Sequence, residues 1–271
     1  HKHRPRIYIT DAANIVSLYT MSHLLNTQDN FRIYFDTTAD EECEEASNEL
    51  IKKICPRAIR ESSSKGMERS VIFLREGMDE NTLKAPLEGN HRFVLIISMI
   101  GAENPSLFPF SQSISKLEQE AKNIGYESYC ILRLPPIFQH LNSLQTTDLE
   151  SLGDDSPFYA IDADDVGSAV SQILIDPDLH KGEQYTIFCH SPISPSSLKT
   201  IHSQLPRVPG RPFQSSKSIL ESINSAYWKY FEDAGRRNDF NSITGDEEMS
   251  SFEEFLRRTN HSLFHQRFFQ R

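Results

Sequence analysis

Short apolar runs rich in β-branched and aromatic residues recur at 7–10, 31–35, 70–74, 93–98, 128–134 and 185–189, separated by stretches of helical periodicity. That alternation predicts a parallel sheet covered by helices on both faces, because parallel neighbours must be joined by crossovers. The first helix has a stripe at Ile15, Leu18, Leu24 and Leu25, and further helices are expected over 40–54, 78–87, 112–124 and 165–175. With 271 residues, 38% of them hydrophobic, the chain is long enough for one large α/β domain with a small appended lobe. The expected fold class is α/β, a Rossmann-like doubly wound parallel sheet with a small, mostly helical C-terminal lobe.

The turn after the first strand is the most unusual stretch. Ile7-Tyr8-Ile9-Thr10 leads into Asp11-Ala12-Ala13-Asn14-Ile15-Val16-Ser17 without a glycine. In a dinucleotide-binding βαβ unit, glycines allow the sharp turn, the close approach of a pyrophosphate and tight helix–strand packing. Here Asp11, Asn14 and Ser17 take their places, after Thr10. A carboxylate at Asp11 opposes an anion where the helix N-terminus would attract one. A frame built for a dinucleotide without its grip is the expectation.

Two segments read as connections: 58–69, with Ser62-Ser63-Ser64-Lys65-Gly66, and 140–157, ending in Gly153-Asp154-Asp155-Ser156-Pro157. The second lies beyond a strand end, where α/β clefts and lids occur, so a residual small-molecule pocket near 135–157 is expected. The acidic run 40–45 suits the start of a solvated helix. Pro206, Pro209 and Pro212 interrupt the pattern. An amphipathic helix then follows over 216–233, with Ile219, Leu220, Ile223, Tyr227 and Phe231, and Ser251-Phe252-Glu253-Glu254 offers a capping-box start for a last helix. These breaks divide the chain into a core over 1–205, including the insert near 140–157, and a lobe over 206–271 packed on it.

Charge and composition narrow the function classes. A net charge of -10 argues against nucleic acid or an anionic membrane as partner. No apolar run has the length of a membrane span. Cys43, Cys55, Cys130 and Cys189 are widely spaced, which indicates neither a zinc site nor a disulfide framework; reduced thiols fit a cytoplasmic or nuclear setting, although the chain begins at His1 and a removed leader is compatible with that. His261 and His265 share a helical spacing without a third ligand, so no metal is expected. Neither a G-x-S-x-G elbow nor a Walker turn is present. Asn260-His261-Ser262 matches a glycosylation sequon, and the aromatic-basic tail 264–271 suits docking on a partner, on a second copy or on its own domain.

The order of motifs resembles the NmrA-like group of atypical short-chain dehydrogenases. It is carried by Ile7-Tyr8-Ile9-Thr10, Ile97-Ser98-Met99-Ile100-Gly101, Lys116 with Glu120, Gly125-Tyr126, Ile131-Leu132-Arg133-Leu134-Pro135, Ile161-Asp162-Ala163-Asp164-Asp165-Val166-Gly167 and Ser251-Phe252-Glu253-Glu254-Phe255. The resemblance implies NAD(P) as cofactor and a Tyr-x-x-x-Lys pair on the helix after the fourth strand. Lys116 matches the lysine, but Gln112 stands at the tyrosine position, and an amide does not titrate near neutral pH. Relatives of the isoflavone-reductase type act with the lysine alone, so Lys116 reads either as a catalytic amine or as a surface residue paired with Glu120.

Likewise Ser98 reads as a carbonyl-orienting hydroxyl or as a buried strand end, and Asp36 as a ribose acid or as a strand-end cap. Arg133 suggests an architectural partner for a carboxylate, and Asp165 starts a helix. Together these readings favour a catalytically inactive protein with no cofactor, acting through a protein partner or self-association. An NAD(P)H-dependent reductase using Lys116 and Ser98, and a self-assembling structural subunit with exposed apolar patches, are the alternatives.

Overall fold

The computed structural model describes the chain except for residues 1–2, 28–29, 38–40, 85–86, 88–92, 125–127, 154, 209, 224–226, 230, 232–234 and 261–271, and the side chains of 41–43 and 259–260. Among the described residues, seven strands form one parallel sheet: β1 (Arg6–Ile9), β2 (Arg32–Phe35), β3 (Ile59–Arg60), β4 (Arg69–Phe73), β5 (Phe93–Met99), β6 (Tyr129–Leu134) and β7 (Gln184–Thr186). Their order is β3-β2-β1-β4-β5-β6-β7. Strand β1 pairs with β2 on one side and β4 on the other, so the winding reverses there and a crevice opens at the strand ends.

The strands are apolar on both faces because helices cover both. Ile7, Ile9, Val71, Leu95 and Ile97 share one core with α1 (Ile15–Leu25) and α6 (Ala163–Ile175). Tyr8, Ile72, Val94, Ile96 and Ile131 share the other with α4 (Pro109–Ile124). Alternate residues of one strand thus feed two cores, which is why β5 reads as an unbroken apolar run. The remaining helices of the core are α2 (Glu41–Ile54), α3 (Glu80–Lys84), α5 (Thr146–Glu150) and α7 (Pro195–Ile201).

Several expectations are corrected. The polar connection at 58–69 contains β3, an edge strand whose two residues pair with Tyr34 and Phe35 and are too few to show a period. The segment 140–157 is structured: a 3-10 turn over Phe138–Ser143 leads into α5, with Leu141, Leu144 and Leu149 buried. The Asp148 carboxylate accepts from the Gln145 N–H at 2.8 Å and starts α5. Asp155 ties the end of this segment to α7, accepting from Ser196 N at 2.8 Å and Ser196 Oγ at 2.6 Å.

After the proline stretch, α8 spans Ser216–Ile223, shorter than expected, and residues 227–229 are again helical. The polar stretch that follows holds a further helix, α9 (Phe240–Thr244), whose Phe240 and Ile243 join the first core. The last helix, α10 (Phe252–Asn260), begins as expected, with Glu254 N donating to Ser251 Oγ at 3.1 Å. Trp228, Phe231 and Phe255 lie in the second core. Asp239 closes the outer edge of β7 by donating its N–H to Thr186 O at 2.8 Å and accepting from Thr186 N at 2.9 Å, which satisfies groups an edge strand otherwise exposes.

No helix is long and apolar enough to cross a membrane among the described residues.

Candidate functional site

At the end of β1 the polar residues that replace glycine build a closed turn. Thr10 Oγ1 donates to Val71 O at 2.8 Å, anchoring the turn to β4. Asp11 adopts a left-handed backbone, φ 51°, which aspartate tolerates better than most residues. Its carbonyl accepts from Asn14 Nδ2 at 2.7 Å and Ser17 Oγ at 3.2 Å. Asn14 Oδ1 in turn accepts from Ser17 N at 2.9 Å and N-caps α1. Asn14 and Ser17 are fully buried. The Asn14 side chain thus satisfies one helix-mouth donor, Ser17 N, that a bound anion would otherwise meet.

The carboxylate of Asp11 is not a bare charge at the mouth of the cleft, and that expectation is corrected. It is buried, and its Oδ2 accepts two hydrogen bonds from Arg75, just beyond β4, from Nε at 2.9 Å and from Nη2. Asp36 ends β2 close by. Its carbonyl accepts from Ala12 N at 3.0 Å and its carboxylate from Thr37 N at 2.8 Å, so it caps the strand and supports the turn. Burial pushes its carboxyl up, against the opposing pull of the Thr37 N–H and of Arg60.

A strap from the C-terminal region lies over this turn. Gly210, at φ 94°, passes so close to the turn that a Cβ there would stand 2.3 Å from Ala13 O; only glycine permits the approach. Arg211 N donates to Ala13 O at 3.0 Å, and Arg75 Nη1 to Pro212 O at 3.0 Å. Phe213 inserts between Phe73, with ring centroids 5.1 Å apart, and His140, at 5.2 Å. Gln214 Oε1 accepts from Ile137 N and its Nε2 donates to Pro135 O, both at 2.9 Å. Residues 210–214 therefore bridge the ends of β1, β4 and β6. Burial, reinforced by Arg75, holds the His140 imidazole down at about 3, and its Nε2 has no hydrogen-bond partner.

The other half of the cleft follows β5. Ser98 is buried and donates to Glu118 Oε1 at 2.6 Å. Arg133 grips the same carboxylate through Nε at 3.0 Å and Nη2 at 2.9 Å, which is the carboxylate partner expected of it. The network continues from Arg133 to Glu103 at 3.9 Å and from Glu103 to Arg236 at 3.1 Å. Ser98 is thus a buried strand end bonded within the protein.

Glu118 marks the inward face of α4, and the residues four and eight before it are Ile114 and Phe110, both fully buried. Gln112 and Lys116 lie on the opposite, exposed face. Lys116 forms no ion pair with Glu120; it adds instead to the charges that hold Glu80 of α3 below the usual carboxylate range, after Lys84. Above the strand, Gly101 at φ 103° lies under Tyr227, whose ring would stand 2.8 Å from a Cβ at that position. Phe108 and Phe110 line the same space, 5.1 and 6.5 Å from the Tyr227 ring.

At the start of α6, Asp162 is the N-cap and Asp165 accepts from Ser250 N at 2.9 Å. Asp162 is held by Gln139 at 2.8 Å and Arg258 at 2.7 Å, and Asp164 by His23 at 2.7 Å. These acids tie α6 to α1 and α10. Among the described residues no His, Cys, Asp or Glu group is arranged to hold a metal ion. Cys55, Cys130 and Cys189 are buried free thiols. The sequon and the pair His261 and His265 reach beyond the described residues.

The sequence signals missed Arg75, Gly210, Phe213 and Gln214, and gave Tyr227 only as an apolar position of a helix. Each sits far along the chain from the turn it covers, and only the isolated glycine among prolines near 210 hinted at a close backbone approach.

No protein-family model and no curated protein sequence matches this chain. Solved structures do match it in fold. An NADPH-dependent quinone oxidoreductase from Escherichia coli is 15% identical over 94% of this chain and 99% of its own, with a TM-score of 0.62. A Citrobacter sp. triphenylmethane reductase, solved with NADP(H), is 13% identical over 93% and 99%, also at 0.62. A doubly glycine-substituted NmrA is 13% identical over 94% and 95%, again at 0.62. This chain therefore shares its fold with NmrA and with these reductases, the fold that the motif order implied.

Proposed function

We propose that this chain is a non-catalytic Rossmann protein of the NmrA-like kind, working through its surface as a regulatory or assembly subunit rather than by turning over a dinucleotide. The observation that carries the reading is the strap: residues 210–214 contact Ala13, Arg75, Pro135 and Ile137 at once, filling the crevice where α/β folds hold their ligands. The residues present do not suit a nicotinamide dinucleotide. A carboxylate and its arginine occupy the phosphate turn, and the inward face of α4 presents Phe110 and Ile114, neither of which exchanges a proton. Lys116 and Gln112 face away from Ser98, which disfavours a lysine-only reductase.

Among the described residues the only large apolar side chains left exposed are Ile59 and Leu179. A net charge of -10 and so little exposed apolar area among the described residues favour polar contacts with a protein partner over assembly through an apolar patch. Calorimetric titration with NADPH and NADH tests the reading. The expected result is no saturable binding up to millimolar nucleotide, for the native chain and also for a variant with glycine at Asp11, Asn14 and Ser17, because the strap still covers the turn. Micromolar binding by the native chain would refute it and revive the reductase.

A further inference from the structure

We propose that the N-terminal ends of β1 and β2 form a basic docking surface for an acidic segment of a partner protein. The proposal rests on the reading that the chain works through its surface, and adds where the partner sits and what chemistry it brings. Three neighbouring strands, β2, β1 and β4, each begin with an arginine: Arg32, Arg6 and Arg69. Arg69 shares the face of Val71, and with it the core that contains α6. It is used there, its Nη1 donating to Leu174 O at 2.5 Å and Ile175 O at 3.2 Å at the end of that helix. Arg6 and Arg32 are register partners, about 4.8 Å apart along the backbone. They alternate with Ile7 and Ile33 of the α6 core and so lie on the opposite face of the sheet.

Two more cations join this pair. The ladder runs on to Pro5, whose carbonyl accepts from Arg32 N at 3.0 Å, and Arg4, two residues before Arg6, has the spacing of the same face. The loop between β3 and β4 returns alongside: a Cβ at Gly66 would stand 3.4 Å from Arg6 Nη1, which brings Lys65 next to that guanidinium. Arg4, Arg32 and Lys65 are exposed and Arg6 is half-buried. Among the described residues none of the four has an ion pair, whereas Arg60, Arg75, Arg133 and Arg258 each hold a carboxylate. Of the acids in the same loop, Glu68 is taken by His3 at 2.5 Å, and Glu61 pairs with none of the four. Lys2 and Asp29, one charge of each sign, lie outside the described residues.

A chain with 38 acidic and 28 basic side chains has carboxylates to spare, yet among the described residues none neutralises this cluster. Like charges abreast on neighbouring strands repel, and a partner carboxylate relieves that repulsion. The guanidinium fork takes a carboxylate through two N–H groups, and cations one strand apart can meet successive acids of one segment. A polynucleotide fits the surface less well. It needs a broad basic face, and a chain of net charge -10 repels a long polyanion wherever it extends past these four cations.

Fluorescein-labelled octaglutamate is the probe, titrated against the native chain, a patch variant (Arg4→Glu, Arg32→Glu and Lys65→Glu together) and a control (Arg207→Glu, Lys217→Glu and Arg257→Glu together). The control makes the same change in net charge at exposed positions elsewhere. The native chain should bind saturably in the micromolar range at low salt and more weakly as salt is added. The patch variant should lose at least about tenfold in affinity and the control less than about threefold. No binding by the native chain, or equal losses in both variants, overturns the surface. Tighter binding of a deoxyoligonucleotide of equal charge overturns a peptide as its occupant, and a dimer in sedimentation that the patch variant alone dissociates overturns it in favour of a second copy. Should the patch variant fail to fold, the neutral set Arg4→Gln, Arg32→Gln and Lys65→Gln decides the point, and unchanged octaglutamate binding by it overturns the proposal. NADPH titrated into the same samples separates the two readings: micromolar binding refutes the non-catalytic one, while the octaglutamate result still stands or falls on the patch.

Discussion

The turn after β1 and the region after β5 are packed by different physics. At the β1–α1 turn the closure is polar: Asp11 against Arg75, Asn14 on the helix mouth, and main-chain hydrogen bonds to a strap. After β5 it is aromatic and steric: Tyr227 over Gly101, Phe108 and Phe110 beside it, and a buried ion pair beneath. Polar closure depends on direction and on charge state, so it yields to salt and pH. Aromatic closure depends on volume, so it yields to truncation and is indifferent to ionic strength.

The contrast is broken most severely under the aromatic half. Glu118→Ala leaves the buried Arg133 without its bidentate partner, and a loss of about 3–5 kcal/mol of unfolding free energy is expected in urea melts. Next, Tyr227→Ala should cost about 3–4 kcal/mol by opening a cavity between the lobe and β5. Tyr227→Phe should leave stability unchanged or raised, since the hydroxyl is buried without a hydrogen-bond partner. A large loss for the phenylalanine variant would show that the polar group, rather than the ring, closes this half.

The polar half should instead answer to acid. His140 is lowered from 6.5 to about 3, so the unfolded chain binds the extra proton between these values. Its contribution to stability is full above pH 6.5 and is lost progressively as pH falls towards 3, amounting to about 2 kcal/mol at pH 5. Comparing the pH dependence of melting for the native chain and His140→Phe measures it; parallel curves would remove His140 as the cause.

Smaller again, Asp11→Asn should cost about 1–2 kcal/mol by weakening the contacts to Arg75, and the penalty should shrink in high salt, whereas that of Tyr227→Ala should not. A salt-independent penalty at Asp11 would erase the distinction between the halves. The smallest effect is expected at Lys116→Gln, within about 0.5 kcal/mol by chemical denaturation, because this side chain is exposed on the outer face of α4.

Much of the scaffold was legible because it follows from local pattern. Six of the seven strands and the helices α1, α2, α4 and α6 coincide with periodic apolar runs, and Arg133 found the carboxylate that a buried guanidinium requires. The short elements β3, α5, α7 and α9 escaped detection because two to seven residues cannot display a period. The site was half legible. Glycine-free residues 10–17 announced an altered turn, and of the two readings of Lys116 the surface one agrees with its exposed place on α4; what no motif spacing revealed is the inward face, set by Glu118 meeting Arg133 and Ser98, which carries Phe110 and Ile114.

Alone, the amino-acid order determined a parallel α/β frame and the absence of a glycine grip, because strand and helix periods and turn chemistry are local properties. Tertiary structure decided what became of the crevice. Asp11 reads as a repelling charge until Arg75, 64 residues away, neutralises it, and Gln214 carries no local signal of the contacts that folding gives it with Pro135 and Ile137. Contacts between distant segments depend on how the whole core packs, and no window of neighbouring residues contains that information.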